Sequence, residues 1–367
     1  MTDGQYGASA AAAEADGAGG SSYERVIPER RAYYEKISHE NLAPLWEELH
    51  VLVPAQPHTP VKAVKWDYDE VRPLLMEAGG LITADEAERR VLMLRNPGLG
   101  GQAAITQSLY GGFQLILPGE VARTHRHSQS ALRFIIEGEG AYTTVGGEKI
   151  PMRPGDLVLT PSWNWHDHGN DTDKPMVWLD GLDIPLISFF EAGFFEAANV
   201  ESQEPSQPLG DSLARFGSGL APVDWRPKAK ASPMLHYSYE RTREVLEAMR
   251  RADPADPCHG WKMRYINPTS GGSPMATIGA FIQMLPPGEA TAPYRSTDAT
   301  VFAVVEGSGT STIGDVTIEW KPRDVFVAPS WVWQSHHAHG EATLFSFSDR
   351  PVQQVLDLWR EERRVPA

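Results

Sequence analysis

One unit is written twice in this chain, and that repeat restricts the fold to architectures built from two similar halves. Gln114 to Glu120 (QLILPGE) matches Gln283 to Glu289 (QMLPPGE), an offset of 169 residues. Seventeen residues beyond each glutamate stand Glu137, Gly138 and Gly140 in one copy and Glu306, Gly307 and Gly309 in the other. Pro161, Ser162, Trp163 and Trp165 recur as Pro329, Ser330, Trp331 and Trp333. The approach recurs as well, Asn96, Pro97, Gly100 and Gly101 against Asn267, Pro268, Gly271 and Gly272. Each copy is expected to span about 85 to 90 residues, so the chain holds two copies of one unit.

Both copies read as β-structure. Short runs of β-branched and aromatic residues, such as Leu132 to Ile136, Leu157 to Thr160 and Val325 to Ala328, are cut by Gly, Pro and Asp at regular intervals. That is the pattern of a small antiparallel sandwich or barrel. Helical signals are expected outside the copies. They cover Leu42 to Leu52, Asp69 to Ala78 (stopped by Gly79 and Gly80), Ser238 to Arg251, and a C-terminal amphipathic helix carrying Val352, Val355, Leu356 and Trp359 on one face. The expected domains are a disordered arm over 1–22, a helical segment covering the barrels over 23–94, a first β-domain over 95–200, a linker with a helix over 201–260, a second β-domain over 261–350, and the C-terminal helix over 351–367. The arm lacks a basic start and an apolar core, so it does not read as a signal peptide.

The net charge of −15 argues against nucleic acid and anionic membrane as partners, which would repel the chain. One cysteine, Cys258, leaves no internal disulfide and fits a reducing cytoplasm. It follows Pro257 in a polar loop, where catalysis is not expected.

The chemistry concentrates in the first copy. His125 and His127 stand at i and i+2, so on a strand they share a face, and a third imidazole from His166 completes a three-nitrogen cap for a metal. The second copy has Tyr294, Ser296 and Gln334 at these positions, Phe302 for Arg133 and Arg323 for Gly155. Loss of all three nitrogens with retention of the frame predicts one metal per chain. Imidazole suits iron, zinc, copper and nickel alike, so ligand type leaves the metal open.

Gly119, five residues, His125 and His127, then Gly155, Pro161, His166 and Asn170, resembles the two signature motifs of the cupin superfamily. Two positions depart from it. Ala131 stands where a glutamate ligand is usual, and Trp163 where glycine is usual. More narrowly, the chain resembles the gentisate 1,2-dioxygenases of the bicupin ring-cleaving group. The residues that carry this are Glu88 to Arg90, Asn96 to Leu99, His125 to Gln129, Ala131 to Phe134, Trp165 to His168 and Trp178 to Asp183.

The resemblance implies a mainly β fold of two cupin barrels (double-stranded β-helix, jelly-roll) with flanking helices, and Fe(II) as the cofactor, one per chain. Three neutral histidines leave a divalent ion its full charge and three octahedral positions, room for an aromatic ortho-hydroxy acid and for dioxygen. Zinc, without redox chemistry, would be structural. Arg133, by strand parity, turns inward to fork a substrate carboxylate or to pair with Asp180. Arg89 joins it at the anion. His168 hydrogen-bonds substrate and shuttles a proton, or packs in the core. Asp180 orients His168 or Arg133, Trp178 walls the pocket, and Gln114 and Tyr110 are further substrate contacts. Solvent exposure is expected for His236, His259, His336, His337 and His339. The implied reaction opens gentisate to maleylpyruvate with both oxygen atoms retained. The alternatives are a relative acting on salicylates or 1-hydroxy-2-naphthoate, a cupin sugar isomerase, and a non-catalytic bicupin. The group resemblance also implies a homo-tetramer.

Overall fold

Every residue of the strands Tyr110–Ile116, Gly279–Leu285 and Ala342–Ser348 is buried, and the reason is that both faces are covered. One face lines a barrel and the other packs against the second barrel. In the computed structural model, which describes residues 28–227 and 229–365, this produces three apolar layers. Ile116, Ile135, Val158 and Trp178 fill the first barrel, and Phe302, Val304, Phe326 and Leu344 fill the second. Between them lies a shared layer in which Phe134 stacks on Phe345 at 4.0 Å and 5°.

Each barrel is a six-stranded sheet closed by a five-stranded one. In the first, the six-stranded order is His236–Tyr237, Leu157–Thr160, Ala131–Glu137, Met176–Leu182, Tyr110–Ile116 and Val91–Met93. Its five-stranded sheet runs Phe195–Ala197, Val121–His127, His166–Gly169, Tyr142–Val145 and Glu148–Pro151. The second barrel repeats this, with Lys65–Trp66 at one edge of its large sheet and Glu361–Arg363 at one edge of its small sheet.

The edge strands change the extent of the repeat. Lys65–Trp66, ahead of the first barrel, pairs with Val325 and Phe326 of the second, while His236–Tyr237, ahead of the second, pairs with Leu157 and Val158 of the first. A 14-residue helix follows each edge strand, Tyr68–Leu81 and Tyr239–Ala252. The backbone N–H of Tyr68 donates to Asp324 at 2.9 Å, and that of Tyr239 donates to Asp156 at 2.8 Å. Tyr68 and Arg72 reach Glu137, and Tyr239 and Arg243 reach Glu306. The helices therefore belong to the repeated unit, which covers 65–197 and 236–363, where only the barrels were expected to recur. The segments 23–94 and 201–260 accordingly hold strands as well as helices.

Two helix ends differ from expectation. Tyr68–Leu81 continues through Gly79 and Gly80. A Cβ on Gly79 would stand 3.1 Å from Leu115 and 3.2 Å from Leu117, so this glycine serves close packing on the barrel and does not stop the helix. The C-terminal helix is only Arg350–Val355. Trp359 leaves its expected face because its indole N–H donates to buried Asp298 at 2.8 Å, and Glu361–Arg363 then pairs with Tyr294–Ser296. The first copy has the same device in Ile184–Phe189 followed by Phe195–Ala197.

The described residues 28–57 belong to a compact unit separate from 58 onward. Its described part holds the helices Pro28–Ser38 and Leu45–Leu52, where the expected start at Leu42 gives way to Pro44 as N-cap. Trp46 donates to Tyr34 at 2.8 Å, and Tyr34 donates to Glu47. The expected disordered arm lies outside the described residues.

Candidate metal centre

The three histidines arrive from two neighbouring strands. A register shift between Ala122 and His125 sets His125 opposite His166, and i, i+2 parity puts His127 on the same face. One ring nitrogen from each lies within 4.8 Å of the others. Each Nδ1 faces a backbone carbonyl two residues away: Gln129 at 2.9 Å for His127, Asn164 at 2.9 Å for His166 and Arg123 at 3.2 Å for His125. Donation to these carbonyls places the proton on Nδ1 of His127 and His166 and leaves their Nε2 bare, whereas His125 Nδ1 is shared between the Arg123 carbonyl and the Arg89 guanidinium. His166 Nε2 is buried without a hydrogen-bond partner among the described residues, an orphan that a metal ion would satisfy. Burial first, and the nearby arginines, push His125 down to about 3 and His127 to about 4, so both are neutral at neutral pH, the form in which an imidazole can bind a metal. Ala131 is fully buried and offers no carboxylate, so the donor set is all imidazole.

His168 is also fully buried. Its Nδ1 lies 2.8 Å from the Thr143 hydroxyl, which in turn reaches Met152 Sδ, and its Nε2 has no hydrogen-bond partner among the described residues. Its ring centroid is 5.9 Å from that of His166 and 5.2 Å from that of Trp178. Trp178 donates to Asp180 at 3.0 Å. Arg133 and Asp180 are direct cross-strand partners. Their Nε to Oδ1 distance is 3.7 Å, too long for a hydrogen bond, and Arg133 Nη1 donates to Thr160. Burial pushes Asp180 up to about 6 against the pull of Arg133.

Gln114 is buried directly opposite Trp178. Tyr110 is buried on the same strand, and a Cβ at Gly112 would stand 2.9 Å from its hydroxyl, so glycine keeps the space that the phenol occupies. Arg89 closes the mouth. It donates to the Arg123 carbonyl at 2.7 Å, and its Nη2 is 2.5 Å from His125 Nδ1. Burial and Arg133 push Arg89 down to about 9. A cavity of about 100 Å³ opens here between Arg89, His125 and Phe195.

All the expected site residues lie in or at the mouth of the first barrel. Sequence reading missed Thr143 and Thr160, whose signal was inward strand parity, and Phe195, which stacks on His125 at 5.3 Å with no motif to mark it. It also misplaced His336. That residue is buried, and its Nδ1 lies 2.7 Å from Ser311, the counterpart of His168 with Thr143. His259 is half-buried against Tyr294, with ring centroids 4.4 Å apart, and His236 is held by Asp156 at 2.9 Å. Among the described residues the second copy holds no comparable histidine cluster.

Comparison with known proteins bears on this geometry. The cupin domain family model matches residues 112–182 and 281–347, one match per barrel. The gentisate 1,2-dioxygenase 1 of Aquipseudomonas alcaligenes is 54% identical over 338 residues, 92% of this chain and 97% of the relative. The chain belongs to the gentisate 1,2-dioxygenase family of bicupin ring-cleaving dioxygenases. A 5-aminosalicylate 1,2-dioxygenase from Comamonas is 36% identical across 90% of this chain and 89% of its own length. Among solved structures, a Trp-to-Tyr variant of the salicylate 1,2-dioxygenase from Pseudoaminobacter salicylatoxidans, in complex with gentisate, superposes with a TM-score of 0.88 at 37% identity, covering 93% of this chain and 97% of that one. The family's two-barrel architecture thus extends over nearly all of this bicupin dioxygenase. No helix among its described residues is long and apolar enough to cross a membrane.

Proposed function

We propose that this bicupin dioxygenase holds one Fe(II) on His125, His127 and His166 and opens gentisate to maleylpyruvate, both atoms of dioxygen entering the product. The observation that carries the reading is an all-imidazole donor set, His166 buried and His125 and His127 half-buried, beside two inward groups without a hydrogen-bond partner among the described residues, Arg133 Nε and His168 Nε2. Iron(II), when bound, supplies the redox chemistry that activates dioxygen, which zinc does not.

The chain's own residues do the rest. Arg133 and Arg89 bring two guanidinium groups to the substrate carboxylate, a planar fork matching a planar anion. Asp180 and Thr160 hold Arg133 in place. With Thr143 on Nδ1, His168 presents Nε2 to the interior and accepts or returns the proton of a ring hydroxyl. Gln114 and Tyr110 supply neutral hydrogen bonds, and Trp178 forms an aromatic wall.

Oligomeric assembly belongs to the same reading. Leu45, Trp46 and Leu52 are between 56% and 63% exposed, and Phe189, Phe194 and Phe195 between 62% and 80%, apolar surface that subunit contacts would cover in a homo-tetramer. Light scattering of the purified enzyme tests this.

The test of function is anaerobic reconstitution with Fe(II), then gentisate under air. One oxygen consumed per ring opened is expected with iron and none with zinc. Equal turnover with zinc, or ring loss without oxygen uptake, would sink the reading. Faster turnover of salicylate than of gentisate would move the chain to another substrate of the family.

A further inference from the structure

The second barrel has lost the histidines but not the polarity of its interior. Its register repeats the first: Tyr294 pairs with Gln334 as His125 does with His166, and Ser346 faces Phe302 as Asp180 faces Arg133. Gln283 stands at the position of Gln114, with Lys262 as cross-strand partner where the first barrel has Val91. Leu285 and Leu344 belong to the barrel interior, and Gln283 and Ser346 lie two residues from them on the same strands, so they too point inward.

These inward groups are buried and unsatisfied. Gln283 is 1% exposed, Gln334 7% and Ser346 0%. Both ends of the Gln283 amide, Oε1 of Gln334 and Oγ of Ser346 have no hydrogen-bond partner among the described residues. A buried polar atom left without a partner destabilises the fold, because its hydration is lost and not replaced. A barrel that had only to replace lost ligands would have filled with apolar groups, as it does at Phe302 and Phe326.

Charge adds a direction. The ammonium of Lys262 sits 5.2 Å from the centre of the Phe281 ring, and Arg350 lies 4.9 Å from the same ring. Arg350 is neutralised by Asp298 at 3.1 Å, and Arg363 by Asp256 at 2.9 Å. Lys262 makes no ion pair with any described residue, and burial together with Arg350 pushes it down to about 7. An anion beside it would relieve that penalty. Inorganic anions fit less well, since Gln334 Oε1 is an acceptor and needs a donor from the ligand.

We propose that the second barrel binds a small hydroxy-carboxylate, its carboxylate on Lys262 Nζ and its hydroxyl among Gln283, Gln334 and Ser346. The site has no metal-ligand set and does not depend on the ring-cleavage reading. Two sources share the chemistry: an aromatic hydroxy acid of the kind the first barrel takes, and an aliphatic hydroxy acid.

Calorimetric titration of the iron-loaded, full-length enzyme without oxygen decides the matter, with salicylate and malate as probes. Wild type should bind one more molecule per chain of at least one probe than Lys262→Met or Gln283→Leu does. The responding probe identifies the source. Lys262→Met removes an unpaired cation, so it should fold with a melting temperature at or above wild type and turn over within about twofold of it. The same probe should raise the melting temperature of wild type and not that of either variant. Equal stoichiometry for both probes in wild type and both variants overturns the proposal. Failure of the ring-cleavage reading would instead remove the salicylate site that is insensitive to Lys262.

Discussion

Arg133 and Asp180 face each other in register across two central strands, yet their nearest charged atoms stay 3.7 Å apart and Arg133 Nε has no hydrogen-bond partner among the described residues. A purely structural pair would close that gap. The guanidinium is held in reserve, buried and with a donor unused, which fits recognition of an incoming carboxylate. Arg133→Met should lower kcat/KM for gentisate by about 10- to 100-fold, the worth of a charge-assisted hydrogen bond, chiefly through KM. Steady-state oxygen uptake reads this, and an unchanged KM would return Arg133 to a structural role.

His166→Ala should abolish iron binding, because it removes the buried nitrogen whose lone pair has no other use. Gln334→Ala, at the matching position of the second barrel, should leave both iron content and turnover intact. Elemental analysis of the purified variants separates the two. Iron retained by His166→Ala would place the metal elsewhere.

Trp163 occupies the left-handed region at φ 61°, and its counterpart Trp331 at φ 60°. Glycine is the usual residue in such a turn, and a side chain there costs about 1–3 kcal/mol. Arg126 lies 4.6 Å from the Trp163 ring and offsets part of that cost. Trp163→Gly should therefore be more stable than Trp163→Ala by about 1 kcal/mol. Thermal melts of the two variants show the order, and a reversed order would mean the turn is not strained.

Asp183 gives a pH signature away from the metal. Burial pushes its carboxyl up to about 6, opposed by Thr277 and by the backbone N–H of Ser130. A folded pKa above the unfolded one contributes stability that is full below about 4 and fades as pH rises through about 6. Wild type should thus lose stability relative to Asp183→Asn between pH 4 and pH 7, by at most about 3 kcal/mol. Paired melts across that range test the sign, and a flat difference would show that Asp183 keeps an ordinary pKa.

The barrels and their pairing were legible because turns are written in local residue types: Gly119 and Gly288, and the recurring Pro-Ser-Trp frames at 161 and 329. The histidines were legible because strand parity fixes which side chains meet. What stayed hidden was long-range. Tyr68 and Tyr239, or Arg72 and Arg243, look like ordinary surface residues of two unrelated helices until Glu137 and Glu306 are seen to receive them. His336 read as exposed because nothing near it in sequence announces Ser311 as its partner. The C-terminal helix failed for a similar reason, since periodicity after Pro351 carries no sign that Asp298 would claim Trp359.

The exchanged edge strands set an order on synthesis. The first barrel is finished by His236–Tyr237, which leave the ribosome well after the last of its three clustered histidines, His166. The nascent first barrel must therefore wait with Leu157–Thr160 as an open sheet edge, a template for mispairing. Lys65–Trp66 waits longer, for a partner 259 residues downstream in Asp324. A chain cut after the first barrel would carry all three clustered histidines yet lack a closed wall. Such a fragment is expected to aggregate before it binds metal, and co-expression of the missing half is expected to rescue it.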